Sequence, residues 1–195
     1  MRTTTVLLLS LVTLGCASTK MTQVHVNPDG ASGAYDKLMV IGLGTADDTR
    51  VEFESRVTEK LTSQGVTSVA SNADFPSQKD VTTDAVRERA HADGVDGVLV
   101  TRLVDIQTES TYKLNETDPF NQWWEKYGSN SVVPAITGEV KRFVMETKLF
   151  DVATEKPVYS STSDSFAPQS RDQIIEELVP LIVSDLSKRG MLATK

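Results

Sequence analysis

The chain of 195 residues contains little of the chemistry that enzymes and metal proteins use, with one cysteine and two histidines. Because Cys16 has no second cysteine to pair with, no disulfide can form within the chain. His25 and His91 have no nucleophile at a recognisable spacing and form no zinc-ligand pattern. We therefore expect no metal, no cofactor, no catalytic residues and no enzymatic activity.

Basic residues are also scarce, because 20 Lys and Arg stand against 27 Asp and Glu, and the net charge is −7. Such a chain lacks the positive surface that meets nucleic-acid phosphates, so we expect no nucleic-acid partner. The apolar run at residues 6–14 is roughly half the ~20 residues that a membrane-spanning helix needs. It is therefore a poor candidate for a stable membrane helix.

The N-terminus instead contains an export signal. Arg2 supplies positive charge, residues 6–14 are largely apolar, and a glycine precedes Cys16. This order predicts a secretory signal peptide over residues 1–15. The sequence TLGC at residues 13–16 resembles the bacterial lipobox, with a slight departure from its commonest form at Thr13 and Leu14.

The lipobox resemblance implies a diacylglyceryl group, with chains such as palmitate, on the sulfur of Cys16, which becomes the new N-terminus after cleavage. In Gram-negative families, Asp after the cysteine favours retention in the inner membrane. Ala17 at that position implies delivery to the outer membrane, with the domain facing the periplasm. The alternative is an ordinary secretory signal with a chance cysteine.

Residues 16–34 are polar and rich in small side chains, and they include Pro28, Gly30 and Gly33. This composition predicts a flexible lipidated tether between the membrane and the folded domain. Val24 and Val26 allow a short strand as the less favoured alternative.

Residues 35–192 show the apolar periodicity of a single domain. Five strands are predicted, at 37–43, 66–70, 98–106, 142–152 and 158–166. Helices are predicted from Thr49, from about Asp80 and from Ser170, with capping boxes at the first and last of these. The order β-α-β-α-β-β-β-α predicts an α/β fold with α+β character. We expect one mixed sheet of about five strands, with the helices mainly on one face.

Two stretches of this domain resemble a known group of proteins. One is YDKLMVIG at 35–42, followed by LTSQGV at 61–66; the other is GVDGVLVTRL at 94–103, followed by LFDVAT at 149–154 and VYSS at 158–161. They resemble small uncharacterised proteobacterial outer-membrane lipoproteins. The domain of these proteins is similar to the TolB N-terminal domain, the curli secretion lipoprotein CsgG and the penicillin-binding-protein activator lipoproteins. The resemblance implies a fold and a compartment and names no catalytic group.

Gly42 and Gly44 follow the first strand of the domain and precede a helix. A dinucleotide-binding fingerprint needs a third glycine where Asp47 stands, so a turn with a helix cap is the better interpretation. Asp47, Asp48 and Glu52 lack the spacing of a calcium-binding loop, and their charges suit the helix dipole.

A long insertion is predicted at residues 107–137, well beyond the 2–5 residues of an ordinary hairpin loop. It contains both tryptophans of the chain, Trp123 and Trp124, with Phe120 and Tyr127 nearby. Such side chains are enriched at binding hot spots and at membrane interfaces, but they also pack as small satellite cores. Both interpretations stay open.

Anchor, tether and a domain without catalytic residues together predict a non-enzymatic envelope protein. We expect it to contact the membrane through lipid on Cys16 and to bind an unidentified envelope protein in an interaction or scaffold role. The alternative is a small-ligand-binding protein or hydrolase of the envelope, which needs a cleft lined by residues such as Asp47, Asp48, Arg102 or His91.

Overall fold

The computed structural model describes residues 18–27, 33–112 and 136–193. Within these residues, six strands and three α-helices follow one another along the chain. They are β1 (Thr19–Val26), β2 (Lys37–Leu43), α1 (Asp47–Ser63), β3 (Thr67–Ala70), α2 (Thr83–Asp93), β4 (Gly97–Tyr112), β5 (Ile136–Asp151), β6 (Pro157–Phe166) and α3 (Arg171–Lys188). Short 3-10 turns at Ser71–Ala73 and Gln78–Asp80 join β3 to α2.

The six strands form a single mixed sheet in the order β1-β6-β5-β4-β2-β3. β2 is parallel to β3 and β4, because helices α1 and α2 carry the chain back between these strands. The remaining neighbours are antiparallel. The predicted mixed α/β sheet with α+β character is confirmed, with one strand more than the sequence indicated.

Both faces of the sheet are covered. The larger core lies under α1 and α3, where Val57, Leu61, Ile182 and Leu186 are fully buried. A smaller core lies under α2 and includes Ala90. Two of the three described helices therefore share one face, as the sequence predicted.

β1 corrects the prediction of a flexible tether. Its residues pair with β6 from Thr19 opposite Ser165 to Val26 opposite Tyr159, so Thr19–Val26 form an ordered edge strand. The carboxylate of Glu177 on α3 accepts hydrogen bonds from the Thr19 amide at 2.7 Å and the Ser18 hydroxyl at 3.0 Å. Backbone pairing and these two hydrogen bonds hold the strand in place. A sequence pattern detects strands by their apolar side chains, and β1 has few of them.

The start of α1 differs from the predicted capping box at Thr49. The helix begins two residues earlier, and its cap position, Ala46, offers no side-chain hydrogen bond. Two acidic residues in the first turn, Asp47 and Asp48, instead suit the positive end of the helix dipole. The cap predicted at Ser170 is present, because its hydroxyl accepts a hydrogen bond from the Gln173 amide at 3.1 Å.

The hairpin of β4 and β5 is longer than expected. Both strands have 16 residues, and their pairing extends to Tyr112 opposite Ile136. The boundaries predicted for the 107–137 insertion are therefore wrong, since its first and last residues belong to strands. β5 leaves β6 at Arg142, opposite Phe166, and Ile136 lies six residues beyond that pair. At ~3.3 Å per residue the hairpin projects by about 20 Å.

Strand direction brings several chain ends together. β2, β4 and β6 run the same way, so they end at one end of the sheet, and antiparallel β1 begins there. We call this the upper end. α1 and α3 start just after β2 and β6, so their N-termini also lie at the upper end. The projecting hairpin points away from the domain on this side.

Candidate functional site

An apolar cavity of about 450 Å³ lies between α1, α3 and the upper end of the sheet. Eight apolar side chains contributed by both helices and three strands line it: Leu43, Phe53, Leu103, Phe143, Met145, Ile174, Ile175 and Leu178. Its volume falls within the range of small-molecule pockets, roughly 300–1,000 Å³. The cavity is thus large enough and apolar enough to hold an apolar ligand.

The residues that line this cavity differ in burial, which distinguishes its closed floor from its open mouth. Phe53, Met145 and Leu178 are buried and form the floor, whereas Gln169 and Arg171 are exposed. The polar lining residues of the upper end therefore form the mouth. The arrangement resembles an amphipathic site, which is apolar inside and polar where it meets water.

The mouth carries charges of both signs. Nη1 of Arg171 donates to Oδ2 of Asp48 at 2.8 Å and to the Thr49 hydroxyl at 2.9 Å, and thereby joins the starts of α3 and α1. The hydrogen bond from Arg171 holds the pKa of the exposed Asp48 carboxyl below its usual value, with a further contribution from the Thr49 amide. The pair is exposed, so its contribution to stability is small.

A buried ion pair lies beside the floor. Arg50, 1% exposed, donates from Nε to Oε1 of Glu54, 0% exposed, at 2.9 Å and from Nη2 to the Ser71 hydroxyl at 2.9 Å. Glu54 also accepts from the Gly42 amide at 2.9 Å, and from both the amide and the side chain of Asn72. Nη1 of Arg50 has no hydrogen-bond partner among the described residues. The network ties α1 to β2 and to the turn after β3.

The glycines at the end of β2 are required by close packing. A Cβ on Gly42 would lie 3.2 Å from Cδ1 of Phe53. Gly44 has φ of +80°, and a Cβ there would lie 2.9 Å from the Leu103 carbonyl oxygen. The pair therefore permits α1 and β4 to approach closely. The sequence favoured a turn with a helix cap over a dinucleotide site; Gly44, with its positive φ, lies in the bend before α1, but the cap position, Ala46, makes no side-chain hydrogen bond.

A second cavity of about 320 Å³ lies under α2 on the opposite face. It is lined by apolar residues such as Val86 and Phe150, and His91 borders it. Arg87 on its rim forms a two-pronged ion pair with Glu155, at 2.7 and 3.0 Å. This exposed pair joins α2 to the turn between β5 and β6.

The residues that a ligand cleft was expected to require are not brought together. His91 borders the cavity under α2, Asp48 lies at the mouth of the larger cavity, and Arg102 pairs with Glu146 on the sheet at 2.7 Å. Within residues 18–27, 33–112 and 136–193, no three His, Cys, Asp or Glu side chains are grouped so as to hold a metal ion. No helix in this part of the chain is long and apolar enough to cross a membrane.

The residues predicted to carry function lie elsewhere. Cys16, with the signal peptide before it, is outside the described residues, and so are Phe120, Trp123, Trp124 and Tyr127 of the insertion. These assignments stay predictions.

Sequence reasoning missed the cavity and the Arg50–Glu54 pair. One signal was present, because Arg50, Glu54, Val57 and Leu61 recur at spacings of three or four residues and share the buried face of α1. Two opposite charges on an apolar stripe indicate a buried ion pair.

Comparison with known proteins gives similarity to solved structures only. No family model matches the chain, and no curated protein matches it. A PelC dodecamer from Paraburkholderia phytofirmans is 16% identical with a TM-score of 0.47, over 88% of this chain and 97% of that one. Lipoprotein GNA1162 from Neisseria meningitidis is 14% identical with a TM-score of 0.43, over 78% and 98%. The structures similar to this chain thus include a lipoprotein at low identity.

Proposed function

We propose that this chain is a bacterial envelope lipoprotein, anchored by lipid on Cys16, whose domain is a non-enzymatic protein-interaction module. The observation that carries the proposal is the TLGC motif at residues 13–16, placed directly after a positive start and an apolar run. The only cysteine of the chain occupies the position that lipidation requires. Two acyl chains on that residue suffice for stable anchoring, because each buried methylene contributes about 0.8 kcal/mol.

The same motif supports a location. Ala17 follows the cysteine, where Asp would favour retention in the inner membrane. We propose attachment to the outer membrane, with the domain in the periplasm. The resemblance to the TolB N-terminal domain, CsgG and the penicillin-binding-protein activators fits this compartment and is part of the proposal.

The projecting hairpin supports an interaction role. β4 and β5 extend about 20 Å beyond β6 at ~3.3 Å per residue, and the segment that joins them contains Trp123 and Trp124. A hairpin that leaves its sheet buries little against its own domain. We propose that its aromatic segment, with Phe120 and Tyr127, binds an envelope protein.

Lipidation is tested by mass spectrometry of the chain purified from a Gram-negative host. We expect the N-terminal peptide to begin at Cys16 and to carry a diacylglyceryl mass. Cys16→Ser should lose that mass and leave the membrane fraction. A Cys16→Ser chain that fractionates with membranes as the wild type does would contradict the anchor.

The partner is tested by photocrosslinking in cells with a probe at Trp124. The matched control carries the probe at Lys156, an exposed position in the turn between β5 and β6, away from the upper end. We expect one envelope protein to be captured from Trp124, not from Lys156, and to be lost with Cys16→Ser. Equal capture from both positions would refute a binding role for the insertion.

The cavity between α1 and α3 favours the second candidate, a ligand-binding protein. Its volume of about 450 Å³ and its apolar lining supply the pocket that the sequence alone did not reveal. This function is compatible with protein binding, because the cavity and the insertion are separate parts of the chain.

A further inference from the structure

We propose that the cavity between α1 and α3 binds one acyl chain of a bilayer phospholipid. The inference rests on the proposed lipid anchor, because the anchor is what brings the cavity to a membrane. The phospholipid would be a second lipid, separate from the one attached to Cys16. Four features support it: the lining, the position of the mouth, an apolar path out of the cavity and the charges at the mouth.

The lining suits methylene groups and offers few competing polar partners. Thr101 on the sheet is satisfied by its neighbour, since its hydroxyl lies 3.0 Å from that of Thr147. Nε and Nη2 of Arg50 are held by Glu54 and Ser71, which leaves Nη1 as one polar group of the lining without a partner among the described residues. An acyl chain therefore gains apolar contact here, at about 25 cal/mol per Å² removed from water.

The anchor places the mouth beside the bilayer. Cys16 is three residues from Thr19, so the lipidated residue lies at most about 10 Å from the start of β1. Ser18 bonds to Glu177, and Ile174 of the cavity is one helical turn away on the same helix. A domain held this closely must present its upper end to the membrane.

An apolar path leads from the cavity along the projecting hairpin. Phe143 lines the cavity and pairs across the sheet with Ile106, so both side chains lie on the same face. Ile106 is 48% exposed, and Val104, at the bulge of β4, is 50% exposed. These are two of the few large apolar side chains that are exposed in the described part of the chain; Ile106 pairs with the cavity residue Phe143, and Val104 follows the cavity residue Leu103 in the chain.

The charges at the mouth favour a phospholipid over a free fatty acid. A zwitterionic headgroup suits both signs of charge at the mouth, since Arg171 can meet its phosphate and the acidic first turns of α1 and α3 its ammonium group, whereas a free carboxylate has no cation to offer those acidic turns. The chains on Cys16 are the other possible occupants. Both acyl chains of the diacylglyceryl group on Cys16 are needed in the bilayer, because one acyl chain gives only marginal anchoring.

The test uses the full-length lipoprotein in cells whose phospholipids contain fatty acids with a photoreactive diazirine. After irradiation, the protein is digested and lipid adducts are located by mass spectrometry. We expect phospholipid adducts on cavity residues such as Phe143 and Ile174, and none on Val86, which lines the second cavity. The N-terminal peptide of the same sample reports lipidation of Cys16 independently, so the failure of either proposal can be distinguished.

Filling the cavity is the specificity control. Ile174→Trp should abolish the adducts on Phe143, and Leu103→Trp provides a second variant from the sheet side in case the first fails to fold. Val86→Trp fills the other cavity and should leave the adducts unchanged. The proposal is overturned if adducts are no more frequent at Phe143 than at Val86. It is also overturned if both cavity-filling variants fold and the adducts are unaffected. Adducts that link the cavity only to the acyl chains on Cys16 would overturn it as well.

Discussion

Replacing Glu54 by alanine tests whether the buried ion pair stabilises the domain. Five donors reach this carboxylate at 2.7–2.9 Å: the amides of Gly42 and Asn72, the Asn72 side chain, the Ser71 hydroxyl and Nε of Arg50. Glu54 and Arg50 are both buried, so alanine leaves a guanidinium without its counter-ion. Breaking a buried pair from one side costs about 3–5 kcal/mol.

The loss is measured by urea and thermal unfolding of a soluble chain that starts at Ala17. A domain of this size loses ~2–4 °C per kcal/mol, so we expect Tm to fall by about 6–20 °C. Glu59→Ala, at an exposed position of the same helix, is the matched control and should change the free energy of unfolding by no more than about 0.5 kcal/mol.

A double variant separates the lost charge partner from the lost packing. Arg50→Met combined with Glu54→Leu removes both charges and keeps apolar volume, so it should recover part of the stability that Glu54→Ala loses. The reasoning is refuted if Glu54→Ala costs less than about 1 kcal/mol, or if the double variant is less stable than the single one.

Three further predictions concern the edge strand, the glycines and the insertion. Burial raises the pKa of Glu177, but hydrogen bonds from Gln173 and from residues 18 and 19 outweigh it and lower the pKa below 4.5. The stability advantage of wild type over Glu177→Gln should therefore be full above pH 4.5 and be lost as the pH falls through the lowered pKa; an advantage in urea titrations that does not decrease as the pH is lowered contradicts this. Gly44→Ala should cost about 1–3 kcal/mol more than Gly94→Ala in the same assay, because both glycines have positive φ but only Gly44 would bring a Cβ against backbone; equal costs refute the clash. If the insertion binds protein, as proposed, emission from the two tryptophans of the lipidated protein in protein-free vesicles should have the same maximum as in the soluble chain; a blue shift would show contact between the insertion and lipid instead.

The parallel half of the sheet and the last helix were predictable because their signals are local. The apolar run Lys37–Leu43 is a buried strand, and Phe53, Val57 and Leu61, spaced four residues apart in the sequence, face the core. The hydroxyl of Ser170 caps α3 by a bond to a residue only three positions away. Such features depend on residues that are neighbours along the chain, so a sequence pattern is enough to predict them.

The cavity was not predictable, because its lining comes from segments far apart in the sequence. Leu43, Leu103 and Ile174 meet only when two helices start at the same end of the sheet. Each of these residues is an ordinary apolar position in its own element. The volume left between them depends on how α1 and α3 pack, which no single element encodes.

β1 was missed for a different reason, and its presence changes how the proposed anchor works. Its polar residues are mostly exposed, so the strand is stabilised by pairing with β6 and by Glu177 rather than by burial. A flexible tether would let the domain turn freely. The mean distance between its two ends would be roughly 5–6 Å times the square root of its number of residues. An ordered strand three residues after Cys16 leaves about 10 Å of chain and one sheet end close to the membrane. The hairpin leaves from that same end. If Cys16 is lipidated, the described base of the hairpin lies close to the bilayer surface, and a partner that binds the hairpin must be accessible there.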